Sequence, residues 1–388
     1  MSPIKIKLLL LPPVDPHHSS LVILFTDLSE MSVTEFNKDL NVAIIDQKLF
    51  LKSVYGNIKE IEDLLESFEI KTPFRMDLEA EKMAKSIENK LETVSKKKKK
   101  KRKLLLEDDI FQDEIIHLKE KIASSRHLLE KHFPGQATLS EIRENNRNTR
   151  EKVRRLLETL REQTNIPDIG SNDRDDSHKK NGIFFPPRSS YIKMDISEMS
   201  KFQNTLGKFD LILLDPPWEN KHIKRHRNEA DGYTMLGNTD LLNIPVEKFL
   251  DDDGLVLVWA TNSPSVRQTL DEMFLKWGLV KVTTWYWLKV TTHGEPICDF
   301  SHSKQPYEIC VVGQSKRRKE ELSLEAGLVL VSVPSGINSH KPPLERLLAA
   351  VTRNKTDQMK KLEMFGRNLS PGWTTIGNQP FLLNVIPN

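Results

Sequence analysis

Five short, almost continuously apolar runs recur in the second half of the chain, at 209–214, 254–260, 284–290, 308–313 and 327–333, at intervals of roughly 20 to 45 residues. A strand with one wet face alternates apolar and polar side chains, whereas an uninterrupted apolar run is buried on both faces. Helix-length segments separate several of these runs. Strands alternating with helices build a mostly parallel sheet with helices on both sides. The pattern predicts an α/β fold with a Rossmann-like, doubly wound domain over residues 181–388.

Open sheets of this kind bind ligands beyond the carboxyl ends of their strands. The run 209–214 leads straight into Asp215, Pro216, Pro217 and Trp218. This tetrapeptide reads either as a rigid turn beside a packed indole or as a site whose parts suit one chemical task. An exocyclic adenine amine is a poor nucleophile because its lone pair is delocalised into the ring. A carboxylate accepting one of its N–H bonds, helped by a backbone carbonyl, favours the pyramidal nitrogen that attacks a sulfonium methyl. The prolines carry no N–H and fix φ, so the carbonyl between them keeps one direction. An indole at the fourth position offers a stacking surface to an extruded base. Holding nucleophile and methyl in line supplies much of such a rate enhancement.

The first half reads differently. Residues 1–75 hold β-branched and aromatic runs, among them 4–11, 21–25 and 42–45, and predict a small strand-containing α+β domain. Residues 76–166 form a charged helical segment, in which Ile115, Ile116, Leu118, Ile122, Leu128 and Leu129 give a partial apolar stripe. It includes the cationic run 96–103, read as a solvated loop that is an import signal, a phosphate-binding tether or simply a solubilising linker. Residues 167–180, rich in Asp, Asn, Ser and Gly, read as a linker.

A chain of 388 residues exceeds one compact core, and charged residues make up 29% of it. The net charge of only +3 means that any affinity for nucleic acid arises from local patches. Two such patches stand out, at 221–227 (Lys221, Lys224, Arg225 and Arg227 with two histidines) and at 316–319, both suited to neutralising phosphates beside the pocket. His222 and His226 lack a third ligand, so no metal is expected. No run reaches membrane-spanning length. The two cysteines, Cys298 and Cys310, suit a reducing compartment and read as small buried apolar residues.

Several blocks occur in a fixed order: 215–218, 243–245, 254–259, 338–343, 363–367 and 377–379. Together, from about 191 to 379, they resemble the Asp-Pro-Pro-Trp family of adenine-N6 methyltransferases, in particular its branch termed methyltransferase-like protein four. The domain lacks a G-x-G-x-x-G loop, and the resemblance accounts for this, because in that family the catalytic motif precedes the cofactor strand, here 361–365. The resemblance implies S-adenosyl-L-methionine as cofactor and catalysis by Asp215, Pro216, Pro217 and Trp218. Cofactor contacts would come from Asp195, Ile196, Asp215, Lys341, Glu363, Arg367, Asn378 and Gln379. Substrate contacts would come from Trp218, Tyr233 and Glu308, with Lys221, Lys224, Arg225 and Arg227 on the backbone. It further implies an RNA substrate, an internal 2′-O-methyladenosine of a small nuclear RNA, with DNA adenine as an alternative and a non-catalytic nucleic-acid-binding scaffold as another. A nuclear, monomeric enzyme is the corresponding expectation.

Overall fold

The apolar runs become neighbouring strands. The computed structural model describes all residues except 1–5, 11–20, 26–32, 57–60, 75–100, 162–165, 219–236, 301–304, 321, 323, 338–339, 353–357 and 386–388. In chain order the strands are β1 (Ile6–Leu10), β2 (Leu21–Phe25), β3 (Val33–Asn37), β4 (Val42–Ile45), β5 (Ile169–Ser171), β6 (His178–Lys180), β7 (Ile183–Phe185) and β8 (Ser190–Lys193). They continue with β9 (Phe209–Leu214), β10 (Leu250–Ala260), β11 (Leu279–Lys289), β12 (Tyr307–Ser315), β13 (Val329–Ser332), β14 (Lys361–Met364) and β15 (Trp373–Gly377). All but β6 and β7 share one 13-stranded sheet, ordered β1-β2-β3-β4-β13-β11-β12-β10-β9-β14-β15-β8-β5.

From β4 to β8 these strands run in one direction except β12, which lies antiparallel between β11 and β10. The mostly parallel α/β sheet expected from the apolar runs is therefore present. Alternation along β10 feeds two cores. Val256, Val258 and Ala260 pack on one face with Val266, Leu270 and Met273 of the helix Pro264–Lys276. Leu255, Leu257 and Trp259 pack on the other with Leu344, Leu347 and Leu348. The chain leaves β9 toward β10 on one side, and β14 continues to β15 on the other. The strand order thus reverses between β9 and β14, and their carboxyl ends open a crevice there.

The N-terminal strands continue this sheet, since β4 pairs in parallel with β13, Ala43 opposite Leu330. The long helix Lys101–Ser124 covers the same face as Pro264–Lys276. Its Leu118 is fully buried, whereas Ile116, expected in the apolar stripe, is exposed, because it points away from the sheet that Leu118 covers. Its buried Glu114 accepts two bonds from the Arg267 guanidinium at 2.9 and 2.7 Å, and the Tyr307 hydroxyl donates to it at 2.9 Å. This helix begins at Lys101, so the last three residues of the cationic run are helical rather than loop, and the rest of the run lies outside the described residues.

The expected linker 167–180 instead contains β5 and β6, with β5 hydrogen-bonded along β8. Its polar composition serves a fixed turn. Asn172 is buried and donates to the carbonyls of Asp176 and Pro186, each at 2.8 Å. Asn and Asp favour turns through such side-chain bonds to backbone, in an ordered loop as in a linker.

Candidate active site

Parallel pairing of Leu214 with Met364 sets the tips of β9 and β14 side by side. The Asp215 N–H donates to the Met364 carbonyl at 3.4 Å, so the first residue after β9 is tied to the neighbouring strand. Trp218 N–H donates to the Pro216 carbonyl at 2.8 Å, closing a tight turn whose two prolines need no donor of their own. The Trp218 indole is buried, and its Nε1 donates to the Trp259 carbonyl at 2.9 Å.

Asp215 ends a chain of four charges. Its Oδ1 lies 3.2 Å from Lys341 Nζ, which lies 2.9 Å from Glu308 Oε2, while Glu308 Oε1 accepts from Lys289. Lys289 sits 4.5 Å above the Trp287 ring and Lys341 5.9 Å from that of Trp259. Two cations and two anions cancel. Burial pushes the Asp215 carboxyl up; Lys341 opposes this and Glu308 adds to it. Burial also opposes ionisation of Glu308, but Lys289 and Lys341 outweigh it and hold that carboxyl down at about 2. Lys341 is correspondingly held charged by its two carboxylates against its own desolvation. His340, beside it, is pushed down to about 4 by burial and is neutral at pH 7.

On the β14 side, burial and the charge of Asp215 push the Glu363 carboxyl up to about 8. Phe365, the next residue but one, has φ of 67°, a conformation rarely adopted by a bulky side chain and one that clusters at functional turns. At Gly366 an added Cβ would stand 2.6 Å from Thr375 Cγ2 and 2.8 Å from Glu363 Cδ, so only glycine admits this packing. Asn378 is exposed at the end of β15, and Gln379 has its Oε1 buried without a partner among the described residues. Asp195 is exposed and caps the 3-10 helix Ile196–Phe202 by accepting from Ser197 N–H at 2.9 Å, while Ile196 is buried. A cleft lined by Gln47, Phe50, Leu213, His340, Lys341 and Glu363 runs beneath these elements.

Asp215, Trp218, Lys341, Glu308, Glu363, Arg367 and Gln379 thus belong to the switch-point region, with Asp195, Ile196 and Asn378 at its β8–β15 flank. Lys221, Lys224, Arg225, Arg227 and Tyr233 lie outside the described residues. The basic patch 316–319 does not adjoin the pocket. It follows β12, which runs opposite to its neighbours, so it sits at the end of the strands away from the crevice. There Arg317 pairs with Asp252 at 2.9 Å and Arg318 with the Asp253 carbonyl. Sequence reasoning missed Lys289, Gln47 and His340. Only the cation in the run 284–290 was a signal for the first. No group of three or more His, Cys, Asp or Glu among the described residues is placed to hold a metal, and none of their helices is long and apolar enough to cross a membrane.

The donor set fits an adenosyl amino-acid cofactor: an ammonium for a carboxylate, a carboxyl and a free amide oxygen for ribose or amine hydrogens, and a glycine cradle between them. Residues 209–379 match the MT-A70 family model. A DNA N6-methyl methyltransferase of Caenorhabditis elegans is 36% identical over 204 residues, 52% of this chain and 54% of the relative. The human N(6)-adenine-specific methyltransferase METTL4 is 34% identical over 205 residues, 50% of this chain and 42% of the relative. The N6-methyladenosine RNA methyltransferase MTA1 of Cryphonectria parasitica is 36% identical over 204 residues, 50% of this chain and 59% of the relative. The chain spans about half the length of the curated relatives it matches.

Proposed function

We infer, from the premise that residues 209–379 of this chain form an MT-A70 domain, that the protein methylates the N6 nitrogen of adenine in a nucleic acid. The single observation that carries the reading is the Asp215 carboxylate at the switch point, 3.2 Å from Lys341 and next to β14.

S-adenosyl-L-methionine, when bound, supplies a methyl group on a positively charged sulfur. The protein's own residues do the rest. With Lys341 on Oδ1, Asp215 Oδ2 is the oxygen that would accept an N–H of the target amine. The raised affinity of Asp215 for protons makes it a better acceptor as that amine becomes acidic on methylation. The Pro216 carbonyl, already oriented by Trp218 N–H, has a second lone pair for the other N–H. The Trp218 ring, fixed by its bond to Trp259, would wall the base. Lys341 would pair with the cofactor carboxylate as a point charge, and Glu363, Arg367, Asn378, Gln379, Asp195 and Ile196 would hold ribose and adenine.

RNA is the favoured substrate, with an internal 2′-O-methyladenosine of a small nuclear RNA as target. The resemblance to the methyltransferase-like-four branch supports this, and DNA adenine is the second reading, suggested by the nematode relative, a DNA N6-methyl methyltransferase. We place the enzyme in the nucleus on the strength of its cationic run, treat it as active as a monomer, and assign the N-terminal half to gripping nucleic acid. The test is methyl transfer from labelled cofactor to matched RNA, 2′-O-methylated RNA and DNA oligonucleotides. Activity is expected on the 2′-O-methylated RNA and lost in Asp215→Ala. Undiminished turnover in Asp215→Ala contradicts the mechanism, and preference for DNA overturns the substrate assignment.

A further inference from the structure

Gln47 begins the helix Gln47–Tyr55 just after β4, and it is 3% exposed. Its Nε2 donates to Ser332 Oγ at 2.9 Å and to the Val333 carbonyl at 3.4 Å. A carbonyl only accepts, so the amide nitrogen must face Val333 and the amide oxygen the other way. That oxygen is buried without a partner among the described residues. Buried acceptors are seldom left unpaired, so this one calls for an explanation, and a donor entering the adjoining cleft supplies it. Gln47 and Phe50 line the cleft that also holds Lys341 and Glu363.

The surroundings place Gln47 on the Lys341 side of that cleft. Ser332 Oγ also accepts from Trp287 Nε1 at 2.8 Å, and Lys289, which bonds Glu308, sits over the Trp287 ring. Glu308 in turn holds Lys341. Glu363 stands on β14, on the opposite side of β9. The charges of Lys289, Lys341, Asp215 and Glu308 already cancel, so a further group that receives a zwitterion must be neutral. A carboxamide oxygen meets that need.

We propose that Gln47 Oε1 accepts a hydrogen bond from the α-ammonium of the cofactor's amino-acid portion, and so completes with Lys341 a subsite for a zwitterionic α-amino acid. The assignment rests on the methyltransferase reading above. It gives the N-terminal segment a direct part in the active site, because the strand that precedes Gln47 is an extension of the catalytic sheet.

Calorimetric titration tests it with two ligands. S-adenosylhomocysteine carries the amino-acid portion and 5′-methylthioadenosine lacks it. Gln47→Leu is expected to weaken the first about tenfold, the scale of a lost hydrogen bond to a charged group, and to leave the second unchanged. Ser332→Ala cuts the same anchor but spares the amide oxygen, and is expected to hold S-adenosylhomocysteine within about threefold of wild type. Gln47→Met, of equal length and without polar atoms, replaces the leucine variant should that one not fold. Unchanged affinity for S-adenosylhomocysteine, or an equal loss for both ligands, overturns the proposal. If the wild-type protein binds neither ligand, it is the methyltransferase reading that fails.

Discussion

Glu363→Gln separates the consequences of burial from those of function. Burial, with the charge of Asp215, raises the Glu363 carboxyl from 4.5 to about 8. Between those values the folded protein binds more protons than the unfolded chain, so this residue lowers stability as pH rises. One pKa unit corresponds to about 1.4 kcal/mol, so at pH 7 the penalty relative to strongly acid solution is about 3 kcal/mol, of which about 2–3 kcal/mol develops above pH 5. Glutamine keeps the shape and cannot titrate. Urea denaturation of both proteins at several values between pH 5 and 7.5 should show wild type losing that amount relative to the variant. Parallel profiles would refute the reasoning. Ribose hydroxyls donate best to an ionised carboxylate, so S-adenosylhomocysteine should expel a proton from wild type at pH 7 and none from the variant. Titration in two buffers of different ionisation enthalpy measures this release.

Two further substitutions probe the supports of the site. Gly366→Ala forces a Cβ against Thr375 and Glu363, and should destabilise by about 1–3 kcal/mol while weakening S-adenosylhomocysteine several-fold; an unaltered affinity would show that the turn after β14 does not set Glu363. Arg267→Leu strips the two-bonded partner from buried Glu114 and should lower unfolding free energy by about 3–5 kcal/mol. Adding Glu114→Gln should restore part of that loss, and no recovery would mean that the arginine acts through packing alone.

The sheet was legible because uninterrupted apolar runs carry information along the chain. The run 209–214 specified both β9 and the place where its ligand-binding end must lie, and Gly366 and Glu363 were reachable through the ordered blocks. What escaped was information held between distant segments. Gln47 carries no local pattern, and its importance follows only from β4 pairing with β13, which brings it to Ser332 nearly 300 positions later. The patch 316–319 misled for the same reason. Charge density is visible in sequence, but which end of the strands it occupies depends on β12 running backwards, and that reversal placed Asp252 and Asp253 beside it. Polar residues at 167–180 spoke equally for a loose linker or a pinned turn until Asn172 found its buried carbonyls.

The electrostatics of the pocket act as a unit. Lys341 touches both Asp215 and Glu308, and Glu308 is shared with Lys289, so each charge is satisfied only through its neighbours. A buried charge without a partner is far costlier than a missing pair. Neutralising Lys341 alone would leave two carboxylates facing one lysine, and the acidity of Asp215 would fall further. S-adenosyl-L-methionine, on the proposed reading, would avoid that outcome because its amino-acid end is neutral overall. Lys341 would pair with its carboxylate and Asp215 would gain its ammonium as a neighbour, so the cleft would take up no net charge while Asp215 Oδ2 stays open to the target amine.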